Sequence, residues 1–280
     1  MQMNADISVI GGKMRKEVET TQKLDELVIS KAIIEEFTKD FIEHLEVDVA
    51  VVGAGPAGMT AGYYLAKERK KVAIFERSLS VGGGMWGGGM MYNRCVFQEA
   101  SRSLLAEIGV RVSKYREGYY ITDSLETVSA LCSSAIKVGV RIFNLMSVED
   151  VMIRKDRVMG VVLNWSAVSL ANLHVDPITV RAKYVVDATG HAAEIARIIT
   201  RKIGKKLYTD TGDFLGEKPM WAEVGEKTIV ENTKEIYPGL YAAGMAANGV
   251  FGGPRMGPIF GGMLLSGKKV AEQISAKLGE

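Results

Sequence analysis

The sequence is poor in the residues that would assign the chain to several common classes. Among its 280 residues are only two cysteines, and Cys95 and Cys132 form neither a C-x-x-C pair nor a zinc spacing. No apolar run approaches the ~20 residues that span a bilayer, and the polar N-terminus does not resemble a secretory signal. Lysine and arginine number 35 against 33 acids, so no basic field indicates nucleic acid. These absences predict a cytoplasmic protein with free thiols that binds neither membrane nor nucleic acid.

The apolar content is high enough for a large core. With 47% hydrophobic residues, a chain of this length predicts one large domain, or a domain with an inserted lobe. Residues 1–26 are polar and weakly periodic. We therefore predict that they form a separate N-terminal segment and that residues 27–280 form the single domain. From Leu27 to Leu45 apolar side chains recur every fourth residue, which predicts an amphipathic helix.

A glycine-rich turn between two apolar strands is the strongest signal in the chain. Residues 48–77 read DVAVVGAGPAGMTAGYYLAKERKKVAIFER, and Gly53, Gly55 and Gly58 form G-x-G-x-x-G. The glycines allow a tight turn, the approach of a pyrophosphate and close helix–strand packing, while Glu76 stands where an acid binds ribose hydroxyls. A glycine turn without a ligand is the alternative. The flanking strands, the helix and the acid together predict that this segment binds an adenine dinucleotide.

The remaining patterns predict an α/β frame with an antiparallel insertion. The segment 82–89 is rich in glycine, and we expect its backbone to lie along the dinucleotide, although a flexible surface loop is the alternative. Helices are predicted at 98–109 and 123–138, with a third parallel strand at 141–145. Residues 148–181 alternate and turn at Lys155-Asp156, as an inserted antiparallel lobe would. A buried strand ending in VVDATGH, a short helix at 192–203, an irregular segment at 205–233, a strand at 239–244 and a helix at 258–278 follow.

Two of these segments resemble the glutathione-reductase-like flavoproteins. VVDATG resembles their middle motif and GLYAAGM their closing motif, in which an acid usually holds the flavin ribityl chain. Met245 stands in place of that acid. The resemblance implies an α/β, FAD/NAD-binding Rossmann-type three-layer fold with the inserted antiparallel β lobe. An FAD-dependent oxidoreductase is therefore one alternative function.

A more specific resemblance covers nearly all of the chain after Leu27. The motifs VVGAGPAG with FER, GGGMWGGGM, NWSAV...LHVDP, ATGH and GMAANGVFGGPRMGPIFGGMLLSG are similar to those of the thiamine thiazole synthase family. The resemblance implies an enzyme of the pentosyltransferase type in thiamine biosynthesis. Its members use NAD as a substrate, with glycine and a sulfur source, and they release nicotinamide and form ADP-5-ethyl-4-methylthiazole-2-carboxylate. They are typically homo-octamers.

The segment LHVDP indicates which branch of the family the chain resembles. In the branch that donates its own sulfur, a cysteine stands two residues before the aspartate, whereas here the residue is His174. The resemblance therefore implies the archaeal-type branch, which takes free sulfide, depends on Fe(II) and turns over many times. Asp176 and His191 correspond to the iron ligands, with Asp176 supplied by a neighbouring subunit. Imidazole and carboxylate suit Fe(II).

The same resemblance assigns the remaining site residues. Arg255 corresponds to the group that holds the glycine carboxylate, a role that suits its planar guanidinium. His174 would orient sulfide, transfer a proton or simply replace the cysteine, and the sequence leaves these roles open. If the segment is a strand, His174 and Asp176 share one face. The residues assigned to the NAD-derived part are Ala57, Glu76, Arg77, Gly84, Val148, His174, Val175, Asp176 and Met245, beside the glycines of the turn.

Two further alternatives remain open at this point. A ribose 1,5-bisphosphate isomerase would catalyse a sugar isomerisation like the one that the NAD-derived ribose undergoes. A non-catalytic sensor would bind NAD without consuming it. Activity on a ribose bisphosphate, or binding without turnover in the presence of iron and sulfide, distinguishes these alternatives from a thiazole synthase.

Overall fold

The computed structural model describes residues 23–279, in two compact units with their boundary between Glu43 and His44. Residues 1–22 of the predicted polar segment, and Glu280, lie outside the described residues. The first unit contains helix α1 (Glu26–Glu43), close to the predicted bounds. A carboxylate oxygen of Asp25 accepts hydrogen bonds from the backbone N–H groups of Leu27 and Val28, at 2.8 and 3.3 Å, and so caps the helix start.

The second unit contains strands and helices in alternation. Its strands are β1 (Glu46–Val52), β2 (Val72–Glu76), β3 (Arg94–Phe97), β4 (Ser113–Arg116), β5 (Tyr119–Asp123), β6 (Arg141–Asn144), β7 (Met146–Arg154), β8 (Arg157–Trp165), β9 (Ile178–Asp187), β10 (Lys234–Tyr237) and β11 (Leu240–Ala242). Its helices are α2 (Pro56–Lys67), α3 (Arg102–Glu107), α4 (Ser124–Lys137), α5 (Ser166–Leu170), α6 (Glu194–Ile203), α7 (Ala222–Glu231), α8 (Met245–Phe251) and α9 (Gly261–Gly279).

The described strands form one eight-stranded sheet and one three-stranded sheet. In the larger sheet the order is β10-β11-β9-β1-β2-β6, with β11, β9, β1, β2 and β6 parallel to one another. The hairpin of β7 and β8 joins this sheet because β8 pairs antiparallel with the first part of β9. This arrangement confirms the predicted α/β, Rossmann-type fold class.

The dinucleotide-type turn has the predicted structure because its residues pack closely. Val49, Ala50 and Val51 of β1 are fully buried, as expected of a strand covered on both faces. Pro56 starts α2, where its missing N–H has no helical acceptor. A Cβ atom at Gly58 would lie 2.0 Å from the Gly53 carbonyl oxygen. Gly58 therefore lets α2 start directly against the turn.

The predicted hairpin is present, with its turn at Lys155 and Asp156. Both residues have positive φ, 51° and 56°, which a type I′ turn requires. The predicted continuation of the strand pattern from Val175 is wrong by three residues, because β9 starts at Ile178 and residues 171–177 contain no strand. The argument that His174 and Asp176 share a strand face therefore does not apply.

Other differences from the predicted elements concern segments without a strong local pattern. The segment 205–233, predicted as irregular, contains α7, which buries Ile229 and Glu226. The strand β3 pairs antiparallel with β5, and β5 with β4, in a small sheet; the sequence predicts a strand and turn at 110–120, but not the pairing with β3. The predicted helix at 98–109 is a short 3₁₀ turn followed by α3, and the glycine-rich link after β11 contains α8.

Candidate functional site

A cavity of about 580 Å³ opens at the carboxyl ends of the parallel strands. Its wall includes Gly53 after β1, Arg77 after β2, Ala188 after β9 and Gly244 after β11. Parallel α/β sheets bind ligands outside these strand ends. The volume lies within the range of about 300–1,000 Å³ that is usual for small-molecule sites. The topology therefore brings four sequence-distant segments together at one cavity.

The glycine turn forms one wall of this cavity. Gly53 has φ +99°, and a Cβ atom there would lie 2.5 Å from the Ala188 carbonyl oxygen, so only glycine fits. Gly55 precedes α2 and provides no side-chain cap, and a Cβ atom on it would meet nothing within 4 Å. The first N–H groups of α2 have no intrahelical acceptors and carry a partial positive charge. This wall suits a phosphate group.

The acid at the end of β2 is buried and fixed by backbone donors. One oxygen of Glu76 accepts from the Ala54 N–H and the other from the Ser78 N–H, each at 2.8 Å. A carboxylate has further lone pairs that can accept hydrogen bonds from hydroxyl groups. The carboxylate is therefore held in place beside the glycine turn, as a ribose-binding acid must be.

Arg77 and Glu194 form an ion pair at the cavity wall. An Arg77 guanidinium nitrogen lies 2.5 Å from a Glu194 carboxylate oxygen. Burial raises the pKa of Glu194, and the neighbouring Arg77 opposes that shift. The Arg77 side chain is exposed, so the pair is solvent-screened and contributes little to stability. It joins the end of β2 to the start of α6.

The glycine-rich loop lies against the glycine turn. The Gly82 N–H donates to the Ala54 carbonyl at 2.7 Å, and a 3₁₀ turn spans Gly83–Gly87. A Cβ atom at Gly83 would lie 3.5 Å from the Gly55 Cα, and Gly83, Gly84 and Gly88 line the cavity. The loop is thus part of the cavity wall, and its contact with a dinucleotide stays a prediction.

Hydrogen bonds to a buried acid hold the ATGH segment after β9 in place. One oxygen of Asp187 accepts from the Thr189 N–H at 3.1 Å and from its hydroxyl at 2.7 Å, and the other accepts from the Ala196 N–H at 3.0 Å. Asp187 is fully buried, and burial raises its pKa. The turn that follows presents the imidazole of His191 at the cavity.

His191 contacts a carboxylate that the sequence pattern did not indicate. The Nδ1 atom of His191 lies 2.7 and 2.9 Å from the two carboxylate oxygens of Glu217. Since an ionised carboxylate only accepts hydrogen bonds, Nδ1 is the donor. In the neutral form of the ring, the second nitrogen, Nε2, then carries the lone pair.

Arg255 lies on a segment that pairs with the one that carries Glu217. The Lys218 N–H donates to the Gly253 carbonyl at 3.0 Å, the Arg255 N–H to the Lys218 carbonyl at 3.1 Å, and the Trp221 N–H to the Arg255 carbonyl at 2.9 Å. These bonds fix the backbone of Arg255, whose exposed side chain lines the cavity.

The buried side-chain amide of Asn248 forms hydrogen bonds to the segment that carries Arg255. The Asn248 Nδ2 donates to the Pro254 carbonyl at 3.1 Å and to the Gly225 carbonyl at 3.3 Å. Its Oδ1 accepts from the Asn232 Nδ2 at 3.0 Å. The side chain is fully buried and each of its polar atoms has a partner, so it connects α7, α8 and the Arg255 segment.

The structure brings most of the predicted site residues to the cavity. Gly58 lies inside α2 and contributes to packing. His174, Val175 and Asp176 are exposed and do not line the cavity. Within residues 23–279 no cluster of three or more histidine, cysteine or acidic side chains could hold a metal ion. The predicted residues that line the cavity are Gly53, Gly55, Ala57, Glu76, Arg77, Gly84, Val148, His191, Met245 and Arg255.

Sequence reasoning missed Glu217, Glu194 and Asn248. Each acts through a partner that is distant in the sequence, since His191 and Glu217 are 26 positions apart and Arg77 and Glu194 are 117 apart. No local motif marks such pairs. Among residues 23–279, none of the helices combines the length and the apolar composition of a membrane-spanning segment.

Comparisons with known proteins agree with this architecture. The model of the Thi4 family matches residues 30–260. Proteins named thiamine thiazole synthase from Methanothermobacter thermautotrophicus and Pyrococcus furiosus are 58% and 53% identical to the chain, each over 91% of this chain and 99% of the relative. The crystal structure of Thermovibrio ammonificans THI4 superposes with a TM-score of 0.91 at 53% identity, over 92% of this chain and all of the other. The chain therefore belongs to the Thi4 family.

Proposed function

We propose that the chain is a thiamine thiazole synthase that converts NAD, glycine and free sulfide into ADP-5-ethyl-4-methylthiazole-2-carboxylate and nicotinamide. The names of its relatives support the thiazole synthase function. The observation that carries the proposal is a single cavity lined by a dinucleotide-type turn, a ribose-type acid, an imidazole and a guanidinium. Such a set can hold a dinucleotide beside an amino acid, and its imidazole can supply one ligand of a metal ion.

The glycine turn and the strand ends would hold NAD as a substrate. The amides at the start of α2 would bind its pyrophosphate, and Glu76 would accept hydrogen bonds from the ribose hydroxyls. Gly84 and Val148 would contact the NAD-derived part from the other walls. Met245 is buried at the start of α8, where it gives an apolar wall with no acid to bind a ribityl chain. This favours NAD over a resident flavin.

Arg255 would bind the glycine carboxylate. Its guanidinium offers paired N–H donors that match two carboxylate oxygens. The side chain lines the cavity while its backbone is held by the hydrogen bonds to Lys218 and Trp221. A fixed backbone with an open guanidinium is what bidentate binding of a small amino acid requires.

His191 would be one protein ligand of Fe(II). The residue fits this role because its Nδ1 is committed to a carboxylate while an imidazole nitrogen remains available, and imidazole suits iron. A ferrous ion there would supply Lewis acidity. Arg255 would orient glycine and the α2 amides would orient the dinucleotide. Bound water, and His174 supplied by a neighbouring copy together with Asp176, are candidates for proton transfer.

Asp176 would be supplied by a neighbouring copy of the chain. In the single chain it lies outside the cavity, in the exposed segment 171–177. Large apolar side chains next to it are also exposed, among them Leu170 at 87% and Leu173 at 61%. Exposed apolar surface of this kind is typical of subunit contacts. A homo-oligomer, which we propose to be an octamer, would complete the iron site.

Free sulfide would be the sulfur source because neither cysteine is suited to donate sulfur. Cys95 is fully buried, and burial raises the pKa of its thiol to about 12. Burial also raises the pKa of Cys132. A thiol acts as a nucleophile only as its thiolate, so these shifts lower the reactive fraction of both groups near neutral pH. The position of the donor cysteine in the other branch is occupied by His174.

Anaerobic turnover with mass analysis tests this proposal. The full chain is incubated with NAD, glycine, Fe(II) and sulfide, and the ADP-thiazole carboxylate is counted per chain. We expect more than one product per chain, and none when iron or sulfide is omitted. One product per chain, NAD left intact, a bound flavin, or activity only on a ribose bisphosphate would each contradict the proposal.

A further inference from the structure

The carboxylate of Glu217 is the closest acidic partner that the structure gives His191. Its two oxygens lie 2.7 and 2.9 Å from Nδ1. The Glu217 side chain is 17% exposed, whereas the imidazole is 51% exposed. The acid is therefore held in the protein, and the imidazole extends from it toward the cavity.

Stability alone does not account for this pair. With a neutral imidazole the contact is a hydrogen bond, and competition from water at the half-exposed ring limits its net contribution to about 1 kcal/mol. A carboxylate at one ring nitrogen has a definite chemical effect, however. In a neutral imidazole it selects the tautomer with hydrogen on Nδ1, and it fixes the plane of the ring.

The backbone around Glu217 is fixed on both sides. The Gly216 N–H donates to the Gly249 carbonyl at 2.9 Å, and the Lys218 N–H to the Gly253 carbonyl at 3.0 Å. The next bond of the same ladder holds Arg255. The segment that places the carboxylate on His191 is thus the segment that places Arg255 at the cavity.

We propose that Glu217 is a positioning residue, which holds His191 in the Nδ1–H tautomer and leaves Nε2 to bind the metal ion. The inference rests on the proposed function for the identity of the metal, but the hydrogen bond and tautomer do not depend on it. The same segment sets the separation between His191 and Arg255. Glu217 therefore couples the metal ligand to the group that binds the amino acid.

Nitrogen-15 NMR of the histidines tests the tautomer directly. The chain has only three histidines, so labelled histidine gives few signals, and His191→Asn assigns the relevant one. Magic-angle spinning makes the measurement independent of assembly size, and a pH of about 9 keeps ordinary imidazoles neutral. We expect the Nδ1–H form of His191 to predominate in the parent chain. Glu217→Ala should move it toward the mixture of free imidazole.

Metal binding supplies the second readout. Removing a carboxylate that orients a ligating histidine typically weakens metal binding about 10- to 100-fold. We expect this loss for Co(II) or Fe(II) in Glu217→Ala, measured anaerobically by competition with a chromophoric chelator, and a changed Co(II) absorption spectrum. Glu217→Gln should retain part of both properties because its amide oxygen still accepts from Nδ1–H.

Glu223→Gln is the matched control. Glu223 lies on α7 with its side chain 75% exposed, and its ion-pair partner Lys227 is 3.7 Å away. This variant should match the parent in tautomer, metal affinity and melting temperature. An unchanged His191 tautomer in Glu217→Ala, or an equal loss of metal affinity in Glu223→Gln, overturns the inference. A changed tautomer with metal affinity unaffected by His191→Asn instead refutes the metal site of the proposed function.

Discussion

Two glycines of the turn have different physical roles, and alanine at each position separates them. A Cβ atom at Gly58 would lie 2.0 Å from the Gly53 carbonyl oxygen and 3.2 Å from a Val51 methyl group. A Cβ atom at Gly55 would meet nothing within 4 Å, and φ there is −75°, which alanine adopts readily. We expect Gly58→Ala to weaken the fold and Gly55→Ala to weaken ligand binding.

The expected magnitudes follow from these contacts. Ordinary van der Waals contact starts at 3.4 Å, so Gly58→Ala requires a backbone shift of about 1.4 Å (3.4 less 2.0) in a buried helix. Overpacking of this kind costs about 1–3 kcal/mol, and we expect the upper end because the obstacle is backbone. For a unit of this size, each kcal/mol lowers the melting temperature by about 2–4 °C, so the decrease should be roughly 6–12 °C.

Gly55→Ala should leave stability almost unchanged. Alanine is a poorer N-cap than glycine by roughly 0.5–1 kcal/mol, but it restricts the unfolded chain by about 0.4–1 kcal/mol, and the two effects nearly cancel. The added methyl group lies where the pyrophosphate would approach the backbone. We therefore expect the Kd for NAD to rise at least tenfold, or about 1.4 kcal/mol.

Thermal unfolding followed by circular dichroism and NAD titration by calorimetry measure the two effects on the same samples. Gly118→Ala is unsuitable as a control, because the φ of +76° at Gly118 would strain an alanine although the space around it is open. Gly84→Ala is a better comparison for stability, since a Cβ atom there also meets nothing within 4 Å. Equal loss of stability in Gly55→Ala and Gly58→Ala, or unchanged NAD affinity in Gly55→Ala, would refute the reasoning.

Three further predictions concern the Arg255 side of the cavity. Burial raises the pKa of Glu226 to about 7 from 4.5, so this carboxyl group ionises at a lower pH in the unfolded chain than in the folded chain. The free energy of unfolding therefore falls as pH rises from about 4.5 to 7. Glu226→Gln should remove this decrease, which amounts to up to about 3 kcal/mol in the free energy of unfolding measured with denaturant at pH 8. Parallel pH profiles for the parent and the variant would contradict the prediction. Asn248→Ala removes the donor of the Pro254 carbonyl and the acceptor of the Asn232 amide, which should cost about 2–4 kcal/mol and raise KM for glycine; an unchanged KM argues against the supporting role. Arg255→Lys loses bidentate binding and should raise KM for glycine about tenfold with KM for NAD unchanged, whereas equal changes in both would place Arg255 elsewhere in the reaction.

The part of the fold that the sequence predicts is the part with local signals. The strand, turn, helix and strand from β1 to β2 follow from contiguous apolar residues, glycines at fixed spacing and Pro56 at the helix start. The turn at Lys155 and Asp156 follows from alternation on both sides. These patterns predict structure because each element is largely determined within its own residues.

The missed elements depend on distant partners. Helix α7 contains Gly225 and the β-branched Thr228, Ile229 and Val230, which lower helix propensity. It forms because Ile229 packs with Met245 and Met256. The strand β3 likewise exists through its pairing with β5, which lies more than twenty positions further along the chain. A single sequence contains no direct record of such contacts.

Different backbone contacts therefore hold the two sides of the cavity in place. The dinucleotide side is formed by strand ends and the α2 turn, which the main sheet holds in place. The other side is formed where residues 215–221 pair with residues 249–255, and this ladder places both Glu217 and Arg255. Loosening that ladder should weaken the binding of metal ion and glycine together while NAD affinity stays the same. The separation follows from topology, because no backbone hydrogen bond of the ladder involves the glycine turn.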